Sequence, residues 1–168
     1  ANEYIYQIYI EQGDTVNAVA SIKKSIDLFP EEPWFMQNLI NLYINSGQED
    51  KAIEYLDLAI EREPNVGQYY NSKGSILARI GRFEESFKAF EQAIAIEPNN
   101  ALFLETLGFA YVDLGNKLND DAAYLDNKAY AKAKVEIDAA FQKAFPYFEK
   151  AYELEPDNDD FKRSLRSL

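Results

Sequence analysis

The chain has no cysteine and no histidine among its 168 residues. Without them there is no disulfide, no thiol nucleophile, no zinc site built on Cys or His, and no Ser-His-Asp triad. Carboxylates, Lys and Tyr are what remains for chemistry. Lack of cysteine suits an oxidising compartment and the cytoplasm alike, so it does not fix location. Positive charge is scarce as well. Lys and Arg number 17 against 29 Asp and Glu, so the formal net charge is −12. A phosphate backbone needs a basic surface, which argues against nucleic acid as a partner. It argues equally against docking on an anionic membrane. No apolar run approaches the ~20 residues of a membrane helix, so membrane insertion is not expected, and no signal peptide is visible. Ala1 in place of Met reads as a start inside a longer chain.

What the chain does have is a period. Gly13, Gly47, Gly81 and Gly115 fall 34 residues apart, and Pro30, Pro64 and Pro98 keep the same step. A fixed period of this length marks a stack of like units rather than one irregular core. With the proline placed at position 32 of each unit, the glycines sit at 15 and other positions come into register. Small residues occupy position 20 (Ala18, Ala52, Ser86) and position 27 (Ser25, Ala59, Ala93). Large ones occupy position 11 (Tyr9, Tyr43, Leu77, Tyr111) and position 24 (Ile22, Leu56, Phe90). Gly74 and Gly108 stand at position 8, where earlier units carry Tyr6 and Ile40.

The 3–4 spacing of Met36, Leu39, Ile40 and Tyr43 predicts one helix, and Ala52, Leu56 and Ala59 predict a second. Gly47 between them is able to take the left-handed cap conformation. The small residues let paired helices approach, the large ones fill the remaining space, and the prolines stop the second helix. These residues resemble the tetratricopeptide repeat (TPR) family, whose pattern of Trp, Leu, Gly, Tyr, Ala, Phe, Ala and Pro they follow over nearly the whole chain. The resemblance implies an all-α, right-handed superhelical solenoid of helix-turn-helix repeats. One solenoid domain is expected over 1–168, with units at about 1–32, 33–66, 67–100 and 101–158 and a partial unit at 159–168. The first unit lacks its first turn. Phe161, Leu165 and Leu168 would form an exposed apolar face, so both ends read as cuts through a longer solenoid.

The fourth unit is irregular. Its proline is Pro156 instead of position 132, a surplus of 156 − 132 = 24 residues, after which Ala144, Phe148 and Ala151 resume the register. The surplus, near 116–140, does not read as a loop. Leu107, Tyr111, Leu114 and Leu118 continue one stripe, and Tyr130, Ile137, Phe141, Phe145, Phe148 and Tyr152 make another. A helical hairpin about 12 residues longer in each arm is expected, projecting ~18 Å. Its turn would lie over Asn119 to Asn127, with Asp120, Asp121, Asp126 or Asn127 as cap and a kink at Pro146. Such an arm either docks a partner or a second copy, or packs its stripe against its own neighbours. Long hairpins ending in a segment like PYFEKAYELEPDN look like those of bacterial TPR proteins associated with the cell envelope, which places the periplasm or envelope ahead of the cytoplasm.

The resemblance also implies a concave groove lined by first-helix residues. Here they are Trp34, Gln37, Asn41 and Asn45 in the second unit, Gln68, Asn71, Ser75 and Arg79 in the third, and Leu102, Glu105, Phe109 and Asp113 in the fourth. Glu3, Gln7, Ile10 and Glu11 extend them in the first. Gln37, Asn41 and Asn45 are spaced by four and share one face. Side-chain amides donate and accept, which suits the backbone of an extended peptide, while Trp34, Leu102 and Phe109 supply apolar anchors. A Lys/Asn/Arg clamp for a C-terminal carboxylate is missing: Glu3, Gln37, Gln68 and Ser72 stand there, with Arg79 alone cationic. The acidic clusters at 119–121 and 157–160 lack the converging oxygens of a calcium loop, and Glu31-Glu32 and Glu84-Glu85 read as helix-start charges rather than an acid/base pair. The expected function is therefore non-enzymatic binding of an extended segment of a protein or peptide partner, with no cofactor. The alternative is an assembly subunit that self-associates through the long hairpin or the solenoid ends.

Overall fold

The structure, a computed structural model, describes residues 2–159, 162 and 163. Among these are eight helices and no strand: α1 (Asn2–Glu11), α2 (Thr15–Leu28), α3 (Pro33–Asn45), α4 (Glu49–Arg62), α5 (Gly67–Arg79), α6 (Phe83–Ile96), α7 (Ala101–Ala122) and α8 (Asn127–Leu154). They form two compact units, Ala1–Pro64 with α1 to α4 and Asn65–Leu168 with α5 to α8. Phe161, Leu165 and Leu168, expected to form an apolar face, lie outside the described residues, as does the side chain of Glu3.

Three of the periodic glycines close first helices. Gly13, Gly47 and Gly81 have φ of 71°, 66° and 80°. Each donates its N–H to the carbonyl three residues back, on Ile10, Ile44 and Ala78, and the following N–H reaches five back, to Tyr9, Tyr43 and Leu77. This double bond pattern is the Schellman cap, and its left-handed residue penalises any side chain. Gly115 keeps the period but has another job. It is buried inside α7, where an added Cβ would lie 2.8 Å from the ring of Phe141.

Glycine against an aromatic ring sets how closely the helices of the second unit pair. A Cβ on Gly74 would meet Phe90 at 2.8 Å, and one on Gly108 would meet Phe148 at 2.8 Å. In the first unit the equivalent positions pair larger with smaller residues, Tyr6 with Ile22 and Ile40 with Leu56. Volume is thus traded across each helix pair, which keeps the interior dense. Ser86, standing where other units have Ala, is fully buried and donates its Oγ–H to the Gly74 carbonyl at 2.8 Å. That bond satisfies a hydroxyl that burial would otherwise penalise.

Successive helix pairs meet over stacked tyrosines. In the first unit Tyr43 stacks on Tyr55 at 5.6 Å, with Lys51 Nζ 5.4 Å above Tyr43 and Lys23 Nζ 5.4 Å above Tyr55. In the second unit Tyr111 stacks on Tyr147 at 5.8 Å, with Lys143 Nζ 5.8 Å above Tyr111. Phe87 of α6 continues that stack, 4.2 Å from Tyr111. Burial first, and the nearby Glu91 carboxylate further down, hold both the Tyr111 and Tyr147 phenols above their ordinary pKa.

The elongated hairpin is present, with a different division from the one expected. α7 exceeds α5 by 22 − 13 = 9 residues and α8 exceeds α6 by 28 − 14 = 14. At 1.5 Å per residue these are roughly 14 and 21 Å of extra helix. Gly108 meets Phe148 and Gly115 meets Phe141, so each step of seven along α7 is a step of minus seven along α8. The pair is therefore antiparallel, with one glycine receiving one ring at each second turn. Ala122, buried, continues the small-residue line to the end of α7. Because α7 runs that far, Asp120 and Asp121 lie within it, and the turn shrinks to 123–126. Asp126 is the cap: its Oδ1 accepts from the backbone N–H of Lys128 and Ala129 at 2.9 and 2.8 Å. Ile137 and Phe148 are buried as the stripe requires, but Tyr130 and Phe145 face outward, off the buried seam. α8 continues as one helix through Pro146.

The glycine–ring contact gives a direct test in urea unfolding. Gly74→Ile costs about 1–3 kcal/mol by overpacking. Adding Phe90→Leu, which copies the Ile40/Leu56 pair, returns part of that loss. Strictly additive losses would show that the two positions do not share one space.

Candidate interaction surface

The first helices carry the outward-facing polar residues, and each unit presents its own set. In the first unit, α3 turns Phe35, Met36, Leu39, Ile40 and Tyr43 inward. That leaves Gln37, Asn41 and Asn45 exposed one turn apart. None of these three amides has a partner among the described residues, so their donors and acceptors face solvent. Trp34 sits half-buried at one end of the row, edge-on to Tyr6 at 5.8 Å and to Phe35 at 5.2 Å. Its backbone carbonyl accepts from Asn38 Nδ2 at 2.8 Å. Gln7, Ile10 and Glu11 of α1 are exposed.

In the second unit the expected residues separate into two groups. Gln68, Ser75 and Arg79 of α5 are exposed, with Gln68 Nε2 3.3 Å from Ser72 Oγ and Ser75 Oγ donating to the Asn71 carbonyl at 3.0 Å. Leu102 and Phe109 of α7 present apolar surface, and Phe109 rests edge-on against the buried Phe148 at 5.0 Å. Glu105, half-buried, lies between them on the same helix face.

Asn71 belongs to the other group. It is buried, 4 % exposed, and its Oδ1 accepts from Thr106 Oγ1 at 2.6 Å. It is an internal strut between α5 and α7, not a member of the exposed row. A polar side chain on the first-helix face was expected to face outward. The next first helix packs over it and turns it into an interhelix link. Thr106, its partner, was not singled out from the sequence. A hydroxyl 35 residues away leaves no local signal.

Asp113, further along α7, is an exposed residue whose carboxyl is only partly desolvated, and that desolvation raises its pKa. Among the described residues, no group of three His, Cys, Asp or Glu side chains is placed to hold a metal ion, and no helix is long and apolar enough to cross a membrane.

Helix pairs closed by Schellman glycines, packed through position-specific small residues and presenting their first helices outward, define an all-α helical-repeat protein of the solenoid class. A family model described as tetratricopeptide repeat matches residues 9–76, and a second, described as TPR repeat, matches 74–115. The chain belongs to the tetratricopeptide repeat family. No curated protein matches its sequence. A crystal structure of MamA resembles it with a TM-score of 0.68 at 20% identity, over 96% of this chain and 80% of that one. MamA from Desulfovibrio magneticus RS-1, residue 41 to the end, gives 0.67 at 19% identity, over 98% and 79%. The first TPR of Spaghetti (RPAP3), solved with the HSP90 peptide SRMEEVD, gives 0.60 at 19% identity, over 82% and 92%. At these identities the likeness is one of fold.

Two outcomes follow. Asn71→Ala lowers the stability of the fold by about 1–2 kcal/mol, through the lost hydrogen bond and the space left behind, whereas Asn41→Ala stays within about 0.5 kcal/mol of the parent. Chemical unfolding distinguishes them, and equal effects would contradict the strut. Asp113 titrates with the opposite sign to a paired carboxylate. Its folded pKa lies above the unfolded one, so the native state binds the proton more tightly and gains stability as pH falls through that window. Asp113→Asn is therefore stabilising at pH near 7, and its advantage disappears in acid below the unfolded Asp pKa of ~3.9. Thermal unfolding at the two pH values reads this directly.

Proposed function

We propose that the chain is a non-enzymatic protein–protein interaction module whose first-helix faces bind an extended segment of a partner protein. The observation that carries this reading is the row of Gln37, Asn41 and Asn45: three exposed side-chain amides at one-turn spacing on α3 with no partner among the described residues. Each amide offers a donor pair and an acceptor, so successive turns can hold successive peptide groups of an extended chain. Trp34 in the first unit, and Leu102 with Phe109 in the second, offer apolar area where a side chain of the partner can be held. Membership of the TPR family supports the reading, as does the RPAP3 structure with its bound HSP90 peptide. The ligand class differs from that acidic peptide. With a net charge of −12 and no cationic clamp, this chain suits neutral or basic segments.

A displayed library of random linear peptides, selected against the intact chain, tests the proposal. Selected peptides are expected to lose at least ~10-fold in affinity to Gln37→Ala/Asn41→Ala/Asn45→Ala or to Phe109→Ala. Exposed substitutions of this kind leave stability nearly unchanged. Peptides that bind all variants equally would remove the first-helix faces from consideration.

A further inference from the structure

The α5–α7 face of the second unit carries chemistry that the amide row lacks. The two helices pack side by side and are joined by the Asn71–Thr106 hydrogen bond. The Asn71 side chain is 4 % exposed, and its Oδ1 is committed to the Thr106 hydroxyl. Its Nδ2 has no partner among the described residues. Every enclosed side-chain nitrogen and oxygen among those residues is paired, so this nitrogen reaches the surface with its donors unspent. A peptide carbonyl is a group that such a donor suits.

Leu102, Thr106, Phe109 and Asp113 follow one another at steps of four, three and four, so they share one face of α7. Leu102 is 49 % exposed and Phe109 43 %. Phe109 leans edge-on against Phe148 at 5.0 Å, which holds the ring while the rest of it stays open. Asp113, one turn further on, is exposed and has neither a hydrogen bond nor an ion pair among the described residues. Its carboxyl is partly desolvated, and no neighbouring cation offsets that loss. A helix packed alongside does not close this face. The same three repeat positions on α5 are Gln68, Ser75 and Arg79, and all stay exposed with α7 beside them. A helix placed beside α7 by the same geometry leaves Leu102, Phe109 and Asp113 open in turn.

We infer that this face selects a partner segment carrying an apolar residue two positions from a Lys or Arg, the apolar side chain lying on Phe109 and the cation on Asp113. The inference rests on the reading of the first helices as peptide-binding faces and adds the chemistry of the segment. Spacing sets the interval. Phe109 and Asp113 are about 6 Å apart along the helix axis, and alternate side chains of an extended segment recur every ~6.6 Å on one side. Charge sets the second member. An apolar or acidic group over Asp113 would strip water from the carboxylate and return nothing, whereas a cation returns an ion pair. The net charge of −12 draws a cation in. Arg79 holds the matching position on α5, which keeps the cation on the α7 side.

The test selects a displayed library of random linear peptides against the intact chain. Binders are then synthesised in paired forms, with Lys or Glu at the charged position, and measured on each variant by fluorescence anisotropy. Selected peptides are expected to be enriched in an apolar residue two positions from Lys or Arg, and the order of the two reports the direction of the segment. The parent prefers the Lys form at least ~10-fold. Asp113→Asn brings that preference to about 2-fold or less, and Asp113→Lys reverses it. Phe109→Ala weakens both forms alike. A ratio of two peptides on one chain is insensitive to partial unfolding, so a damaged fold does not imitate these results. A library that yields no binder overturns the peptide-binding reading and this inference with it. Binders without the spacing, a Lys preference that survives Asp113→Asn, or indifference to Phe109→Ala overturns this inference alone.

Discussion

Contact between a first-helix glycine and a second-helix phenylalanine is the constraint on which the second unit depends. Gly74 with Phe90, Gly108 with Phe148 and Gly115 with Phe141 each leave no room for a single extra carbon. A helix interior with glycine costs roughly 1 kcal/mol per site relative to alanine. That cost is offset by seating a whole aromatic ring flat against the backbone, where its area is removed from water. The spacing of these contacts also explains how the last hairpin grows. Adding a second Gly–Phe contact seven residues on extends the pair by two turns without changing the distance between helices. The exposed part of the hairpin then needs only weak surface support, such as the Lys117–Asp121 and Lys134–Asp138 pairs at 2.6 and 2.7 Å. Exposed pairs of this kind contribute a few tenths of a kcal/mol each.

Close pairing has a consequence for the outward faces. When the inner side of α3 is filled by Phe35, Met36, Leu39, Ile40 and Tyr43, the remaining positions have no packing role and their chemistry is free to vary. Gln37, Asn41 and Asn45 occupy such positions. Asn71 shows the limit of that freedom. It lies in the same helix-facing register, but α7 comes over it, and its amide is committed to Thr106. The boundary between binding surface and framework therefore runs between residues of one helix face, and burial rather than residue type decides on which side each falls.

Much of this was legible in the sequence. The 34-residue period gave the helix pairs, because each copy repeats the same steric solution: a left-handed glycine, small residues where helices touch and a proline after the second helix. Gly13, Gly47 and Gly81 do what their position implied. Gly115 kept the register for an unrelated reason, since the helix does not end there, and no local pattern separates a cap glycine from a packing glycine. The 24-residue surplus was visible, but its division into 9 residues of α7, 14 of α8 and one of the turn was not. That division depends on where Asp126 finds free N–H groups to cap, a choice among four neighbouring polar residues of similar propensity. Tyr130 and Phe145 read as seam residues by period alone. α7 ends before it can cover Tyr130, and Phe145 is exposed on α8.

The tyrosine junctions show why a repeat array can discriminate among helices that look alike. An apolar seam alone would accept any amphipathic helix, in several registers. Each junction here adds a polar component. Lys51 and Lys143 stand over the ring faces of Tyr43 and Tyr111, which fixes those rings against rotation and places a positive charge beside the seam. The covering helix must then bring a residue at i+4 that tolerates this field. Glu91 meets a seam with one lysine, while Lys23 meets two phenol rings whose oxygens accept from its ammonium and raise its pKa. Hydrophobic burial supplies the affinity of such a contact, and the charge at the middle position supplies its selectivity, because a mismatched ion held at a half-buried seam loses hydration without gaining a partner.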